Sequence, residues 1–216
     1  ELVEGRREFN GSIAQKLNNA GIPVILLDRD LANYPRRSEF DVVSMDHVAG
    51  GFAIGEHLVK LGCKSLSFVH PALSAPTIDA RIAGVRQALE EFGLPGLRLS
   101  VFEGDVQDLV FVRKVLSRGK PDAVVCSNDH TAAMLLQSLA KVGLRVPHDI
   151  KVTGFDDVRF STLVSPPLTT VQQPYREIAV TAFTTMIERI DEPHLPPRHI
   201  SLAPRLVIRD SCGAYL

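Results

Sequence analysis

Four polar residues stand directly downstream of short apolar runs, where they could meet a ligand. Asp46 follows 41-DVVSM-45, Arg81 follows the loop after 66-LSFVH-70, Asn128 follows 123-AVVCS-127 and Asp156 follows 150-IKVTGF-155. Gln173 joins them just before Pro174. An arginine fork donates hydrogen bonds in fixed directions, carboxylates accept them, and amides do both. That inventory suits a polyhydroxylated molecule. Each residue also has a plainer reading. Arg81 fits a solvated helix face and Gln173 a strand end. Asp129 is a good helix N-cap, and Asp157 fits a cap or turn. Taken jointly, residues at the carboxyl ends of parallel strands occupy the place where open α/β sheets bind ligands.

Patterns for covalent or cofactor chemistry are absent from the sequence. No GxGxxG follows a strand. Gly50 and Gly51 with Gly55 sit where a helix begins, with the wrong spacing for a phosphate loop, and read as close helix packing. There is no GxSxG, HExxH or CxxC. His194 and His199 flank a proline-rich stretch without a third ligand nearby, which reads as a loop and not a metal site. Cys63, Cys126 and Cys212 lie on or beside apolar runs, as buried structural thiols do. No nucleophile has its base. The expectation is a binding protein without enzymatic activity, cofactor or metal.

The elements that must position these residues alternate between two periods. Runs at 22–28, 41–45, 66–70, 97–102, 123–127 and 150–155 are apolar on both faces in several cases, as buried parallel strands are. Between them, residues 48–61, 79–92, 107–118, 130–142 and 175–190 carry helical spacing. Gly62, Gly93 and Gly143 stop three of these helices. Such βαβα alternation predicts an α/β fold with mostly parallel sheets. The proline-rich segment 191–200 and the extended run 199–210 predict a chain that crosses between lobes and ends as a strand.

Composition narrows the class further. The 216 residues are 45% hydrophobic and 23% charged, with a formal net charge of −1. A chain that binds DNA by itself usually shows a basic excess, and this one has none. No apolar stretch reaches the ~18 residues of a membrane span. The charged opening, ELVEGRREFNG, does not read as a secretory signal. Three scattered cysteines fit a reduced, cytoplasmic compartment.

The stretch 143-GLRVPHDIKVTGFDDVRFSTLVSPPLTTVQQP-174 resembles the effector domain of the LacI/GalR family of bacterial transcription regulators. So do 46-DHVAGGFAIGEHLVKLG-62, the Arg81-Ile82-Ala83-Gly84 step, the Ser127-Asn128-Asp129 turn and the closing 206-LVIRDSC-212. The matches run in order along nearly the whole chain. The resemblance implies a periplasmic-binding-protein-like fold: two Rossmann-like lobes with parallel sheets, joined by three crossovers, with effector in the cleft. It implies Asp46, Arg81, Asn128, Asp156 and Gln173 as the effector-binding residues. One departure concerns 103-EGDV-106, where sugar-binding members often carry a stacking aromatic and this chain has Val106. Phe155 or Tyr175 would then have to supply any stacking.

These readings define the expectations. Residues 1–62 and 174–196 form a first lobe, incomplete because no helix-turn-helix and no first two βα units precede it. Residues 63–173 and 197–216 form a second, complete lobe. The partners implied are a small effector, with a sugar as the implied class, operator DNA through a domain missing from the chain, and a second copy in a homodimer. The helix over 130–142, apolar over more than one face, would pack on its sheet and on that second copy. The chain would sense the effector and control operator binding allosterically. The alternative is a periplasmic-type sugar-binding protein for uptake.

Overall fold

In a computed structural model, residues 7–72, 75–93 and 95–215 are described. The first six residues, part of the expected opening helix, lie outside that set. The chain divides into two compact units. Unit 1 comprises Glu1–His47, Leu73–Ala80 and Pro174–Pro204. Unit 2 comprises Val48–Ala72, Arg81–Gln173 and Arg205–Leu216.

Unit 1 contains α1 (Arg7–Asn19), β1 (Ile25–Leu27) and β2 (Asp41–Met45). α6 (Tyr175–Asp191) and β8 (His199–Leu202) return to it late in the chain. Its parallel sheet has the order β1-β2-β8. β2 is the central strand and sends successive side chains to opposite faces. Val42 packs with Leu26, Phe40 and Ala14 of α1. Val43 packs with Ile178 and Ala182 of α6 on the other face. Buried Asp41 starts β2, and its carboxylate accepts from Arg189 of α6 at 2.8 Å and from the Arg198 amide at 2.7 Å. That bond ties the entry of β8 to the sheet.

Unit 2 holds α2 (His47–Lys60) from its second residue, and α3 (Thr77–Phe92) from Arg81. Around them lie β3 (Ser65–His70), β4 (Arg98–Glu103), α4 (Leu109–Gly119), β5 (Ala123–Cys126), α5 (Asp129–Lys141) and β6 (Lys151–Thr153). The four strands form a parallel sheet in the order β4-β3-β5-β6. β5 is buried throughout, and β3 is buried over five of its six residues. The connection from β4 crosses over β3 to reach β5, so the strand order reverses between β3 and β5. That is a topological switch point, the kind of place outside whose carboxyl edge open α/β sheets generally bind ligands. Beyond β6, β7 (Thr170–Gln172) pairs antiparallel with β9 (Arg205–Val207).

The two units revise the division read from the sequence. His199–Leu202 was assigned to the second lobe but pairs with β2 in unit 1. The run 199–210 is two strands in two sheets, separated at Ala203-Pro204, because proline has no N–H for a ladder. Residues Val48–Gly62, assigned to the first lobe, fall in unit 2. Unit 1 therefore has a three-stranded sheet where two strands were expected.

The reason for the second revision lies in the glycines. A Cβ on Gly51 would overlap the Arg81 carbonyl, and one on Gly84 would overlap the Val48 carbonyl. A Cβ on Gly55 would stand 2.8 Å from that of Ala88. Missing side chains on both helices let α2 and α3 meet backbone to backbone, as the glycine spacing predicted. The apolar circumference of α5 also has a local explanation. Leu135, Leu136 and Leu139 belong to one buried cluster with Val112 and Val115 of α4 and Val124 of β5. Neighbours within unit 2 thus cover more than one face of α5.

Gly84→Ala should destabilise the fold by about 1–3 kcal/mol, since the obstacle is rigid backbone. Gly11→Ala, in α1 with no atom within 4 Å of the added Cβ, should stabilise by roughly 0.5–1 kcal/mol. Urea unfolding of both variants tests the contrast. Equal midpoints would disprove the close approach.

Candidate functional site

Arg81 is the anchor of the site. It lies in α3 one turn before Gly84, so the helix contact that requires Gly51 and Gly84 also sets its backbone. The side chain is 4% exposed. Its guanidinium donates to the Ser127 carbonyl at 2.5 Å and to Asp156 Oδ1 at 3.3 Å. It also stacks over the Phe155 ring, 4.4 Å from the centroid. A buried cation needs such partners, since an unpaired one costs several kcal/mol.

Asp156 and Gln173 reach the same point through β-pairing. The Gly154 amide donates to Thr169 O and the Asp156 amide to Val171 O, which lays the β7 segment beside the end of β6. Gln173 then donates through Nε2 to Asp156 Oδ1 at 2.6 Å. Asp156 itself has φ +104°, a region that non-glycine residues rarely occupy. Strain of this kind persists where the surroundings over-determine it, commonly at ligand sites.

The structure thus brings Arg81, Asp156 and Gln173 together. Asn128 sits next in chain to the carbonyl that Arg81 binds, but its side chain caps α5 by accepting from the Thr131 amide at 2.8 Å. Asp46 follows β2 in unit 1, where its amide donates to Leu202 O at 2.8 Å. Phe155, a candidate for stacking a ligand, is fully buried beneath Arg81. Tyr175, the other candidate, is 52% exposed at the start of α6.

The N-cap expected at Asp129 is Asn128 instead, and Asp129 does different work. Fully buried, it accepts from Thr170 Oγ1 at 2.6 Å and from the Val158 amide at 2.9 Å. It therefore clamps the β6–β7 turn to the start of α5. Gly154 makes room, since a Cβ there would overlap the Asp129 carboxylate. Asp157, with φ +54°, pairs with Arg209 at 2.6 Å and accepts from Gln172 at 2.9 Å. These supporting residues were not singled out as a network by sequence reasoning. The available signal was the paired Asp156-Asp157 followed by a Thr-Thr pair inside an apolar segment.

Burial pushes the Asp129 carboxyl up from 3.8 to about 7, against the two hydrogen bonds it accepts, with nearby Asp156 and Asp157 adding to the rise. Elsewhere, burial pushes the Cys63 thiol up to about 11, consistent with an inert structural cysteine.

Strand order, buried arginine and paired carboxylate describe a ligand-binding α/β unit. A family model described as a periplasmic binding protein-like domain matches residues 56–212. The HTH-type transcriptional repressor PurR of Aliivibrio salmonicida is 32% identical over 203 residues, 92% of this chain and 60% of that protein. The HTH-type transcriptional regulator DegA of Bacillus subtilis is 30% identical, over 93% of this chain and 59% of that protein. The chain spans about 60% of the length of these relatives. Among solved structures, a LacI family transcriptional regulator from Enterococcus faecium with bound ribose superposes with a TM-score of 0.78 at 27% identity, over 93% of this chain and 74% of that one. The transcriptional regulator CelR in complex with cellobiose superposes at 0.79 with 25% identity, over 92% and 62%. The chain belongs to the periplasmic-binding-protein-like domain family, and within it to the effector-binding domains of LacI/GalR regulators. Such regulators are not enzymes.

A carboxyl group whose value is higher in the folded state stabilises that state most at low pH. The contribution of Asp129 should be complete below about 4 and lost as pH rises toward 7. Asp129→Asn removes that titration. The difference in unfolding free energy between parent and variant should therefore fall between pH 4 and 7 and level off above. A constant difference across that range would show that Asp129 is ionised throughout.

Proposed function

We propose that the chain senses a small polyhydroxylated effector, a sugar, for a LacI/GalR-type transcription regulator. The observation that carries this reading is the buried Arg81 fork held against Asp156 and Gln173 at the carboxyl edge of the unit 2 sheet. A guanidinium and a carboxylate in fixed orientation offer donors and acceptors to neighbouring hydroxyls without reorganising. Asp156, with 21% side-chain exposure, carries that arrangement to the solvent. The ribose-bound and cellobiose-bound neighbours support a sugar over other polar effectors. Asn128 contributes through the first turn of α5, and Asp46 enters this reading through the family resemblance.

The remaining parts of the proposal rest on the family resemblance, with the HTH-type repressor relatives supporting the operator-binding part. Effector binding would control operator binding by a DNA-binding domain of the helix-turn-helix type, in a cytoplasmic homodimer. Among the described residues no helix is long and apolar enough to cross a membrane. A ligand that favours one of two conformations shifts the population by its difference in affinity, which supplies the allosteric step.

The burial and bonds of Arg81 predict that Arg81→Ala costs stability as well as binding. Arg81→Lys keeps the charge and loses the fork, so it is the sharper probe. Calorimetric titration of the chain with D-ribose, D-xylose, D-glucose and cellobiose should find a saturable sugar. Arg81→Lys should weaken that sugar by ~1.5–3 kcal/mol, the range for a hydrogen bond to a charged group. Unchanged affinity would remove Arg81 from the site.

A further inference from the structure

Asp129 holds both ends of the strained dipeptide that carries Asp156. Its backbone amide donates to the Phe155 carbonyl at 2.7 Å, one residue before Asp156. Its carboxylate accepts from the Val158 amide at 2.9 Å, one residue after Asp157. Asp156 and Asp157 lie between these two bonds, both at positive φ. Turning Asp156 away from Arg81 and Gln173 would strain a bond to Asp129.

Three carboxylates and two guanidiniums make up the charge at this turn. Arg81 pairs with Asp156, and Arg209 with Asp157. Asp129, fully buried, accepts from a hydroxyl and an amide and forms no ion pair among the described residues. The third cation that would balance the cluster is a proton. Thr170 suits either state, because a hydroxyl donates to an ionised carboxylate and accepts from a protonated one. The proton can come and go without moving a heavy atom. Other titratable or charged groups around Asp129 leave that role open. Cys126 on β5 is fully buried and its thiol is pushed up, so it stays neutral. His130, next on α5, and Arg159, just past Val158, are exposed to water.

We propose, resting on the sugar reading above, that Asp129 is a positioning residue for effector binding and that a proton is taken up there when the effector binds. Solvent sets the sign. A neutral sugar brings no charge, but it replaces water that screens the partly exposed Asp156. Repulsion between Asp156 and an ionised Asp129 grows as that water leaves, and a proton on Asp129 relieves it. Bound effector therefore favours the protonated form, and by linkage low pH favours bound effector. Burial, together with Asp156 and Asp157, pushes the Asp129 carboxyl up to about 7, so the change of charge falls near neutral pH. Effector sensing then responds to pH through a fully buried residue behind the site.

Calorimetric titration of the chain with D-ribose, D-xylose, D-glucose and cellobiose, from about pH 5.5 to about pH 8.5, tests this. The sugar that binds should lose about threefold or more in affinity across that range. Near pH 7, buffers of different ionisation enthalpy should reveal a fraction of a proton taken up on binding. Asp129→Asn, which mimics the protonated form, should hold affinity at its low-pH level throughout. His130→Gln should keep the parent profile. If circular dichroism shows that the asparagine variant fails to fold, Thr170→Val supplies the second readout. It deprives the ionised form of its hydroxyl donor and should move the midpoint of the profile to higher pH. A sugar bound with constant affinity across the range would overturn this inference and leave the sugar reading standing. So would a profile that survives Asp129→Asn, disappears in His130→Gln or keeps its midpoint in Thr170→Val. No sugar in the panel binding at any pH would overturn both.

Discussion

Taking the Arg81 guanidinium out of water is the constraint around which unit 2 is arranged. A cation that is 4% exposed must find acceptors and a favourable field inside the protein. It finds the carbonyl at the end of β5, the carboxylate at the end of β6 and the face of Phe155. These partners come from separate segments, so satisfying the charge holds α3 to the ends of two strands. Without the glycine contact between α2 and α3, the Arg81 backbone could not sit where those partners are. The most demanding electrostatic group and the closest backbone approach are thus one construction.

The aspartates beyond the strands divide the work by environment. Asp156 shares an oxygen with Arg81 and Gln173 and keeps some exposure. Asp157, one residue on, turns toward Arg209 and Gln172 and serves the architecture. Asp129 is deeper still, bonded to a hydroxyl and an amide, and its raised value follows from that depth. Adjacent identical residues take different roles because the tight turn at Asp156 and Asp157, both at positive φ, aims their side chains apart. The turn therefore leaves one partly exposed carboxylate, Asp156, in a segment whose other carboxylates are structural.

Much of this protein was legible in the residues themselves. β5 is buried on both faces, so the run at 123–126 announced itself by unbroken apolarity, and 41–45 showed itself by the adjacent Val42 and Val43 that face opposite sides of the sheet. Helices ended where glycine permits a left-handed residue, as at Gly143 with φ +83°. The strand-end polar residues and the family motifs pointed to a ligand site before any geometry. Tertiary structure decided what depends on partners distant in sequence. The run 199–210 looks continuous, yet Asp41 and β2 claim its first part while β7 claims its last. Local rules allow either Asn128 or Asp129 to cap α5, and only Thr170 and Val158, brought up by β7 and the β6 turn, remove Asp129 from that role. Phe155 could have stacked on a ligand until Arg81 covered it. Gln173 meets Asp156 because strand pairing, whose register is a long-range property, lays β7 beside the end of β6. Apolar periodicity and turn chemistry are local and can be read along the chain. The pairing of buried charges is settled by which segments fold against one another.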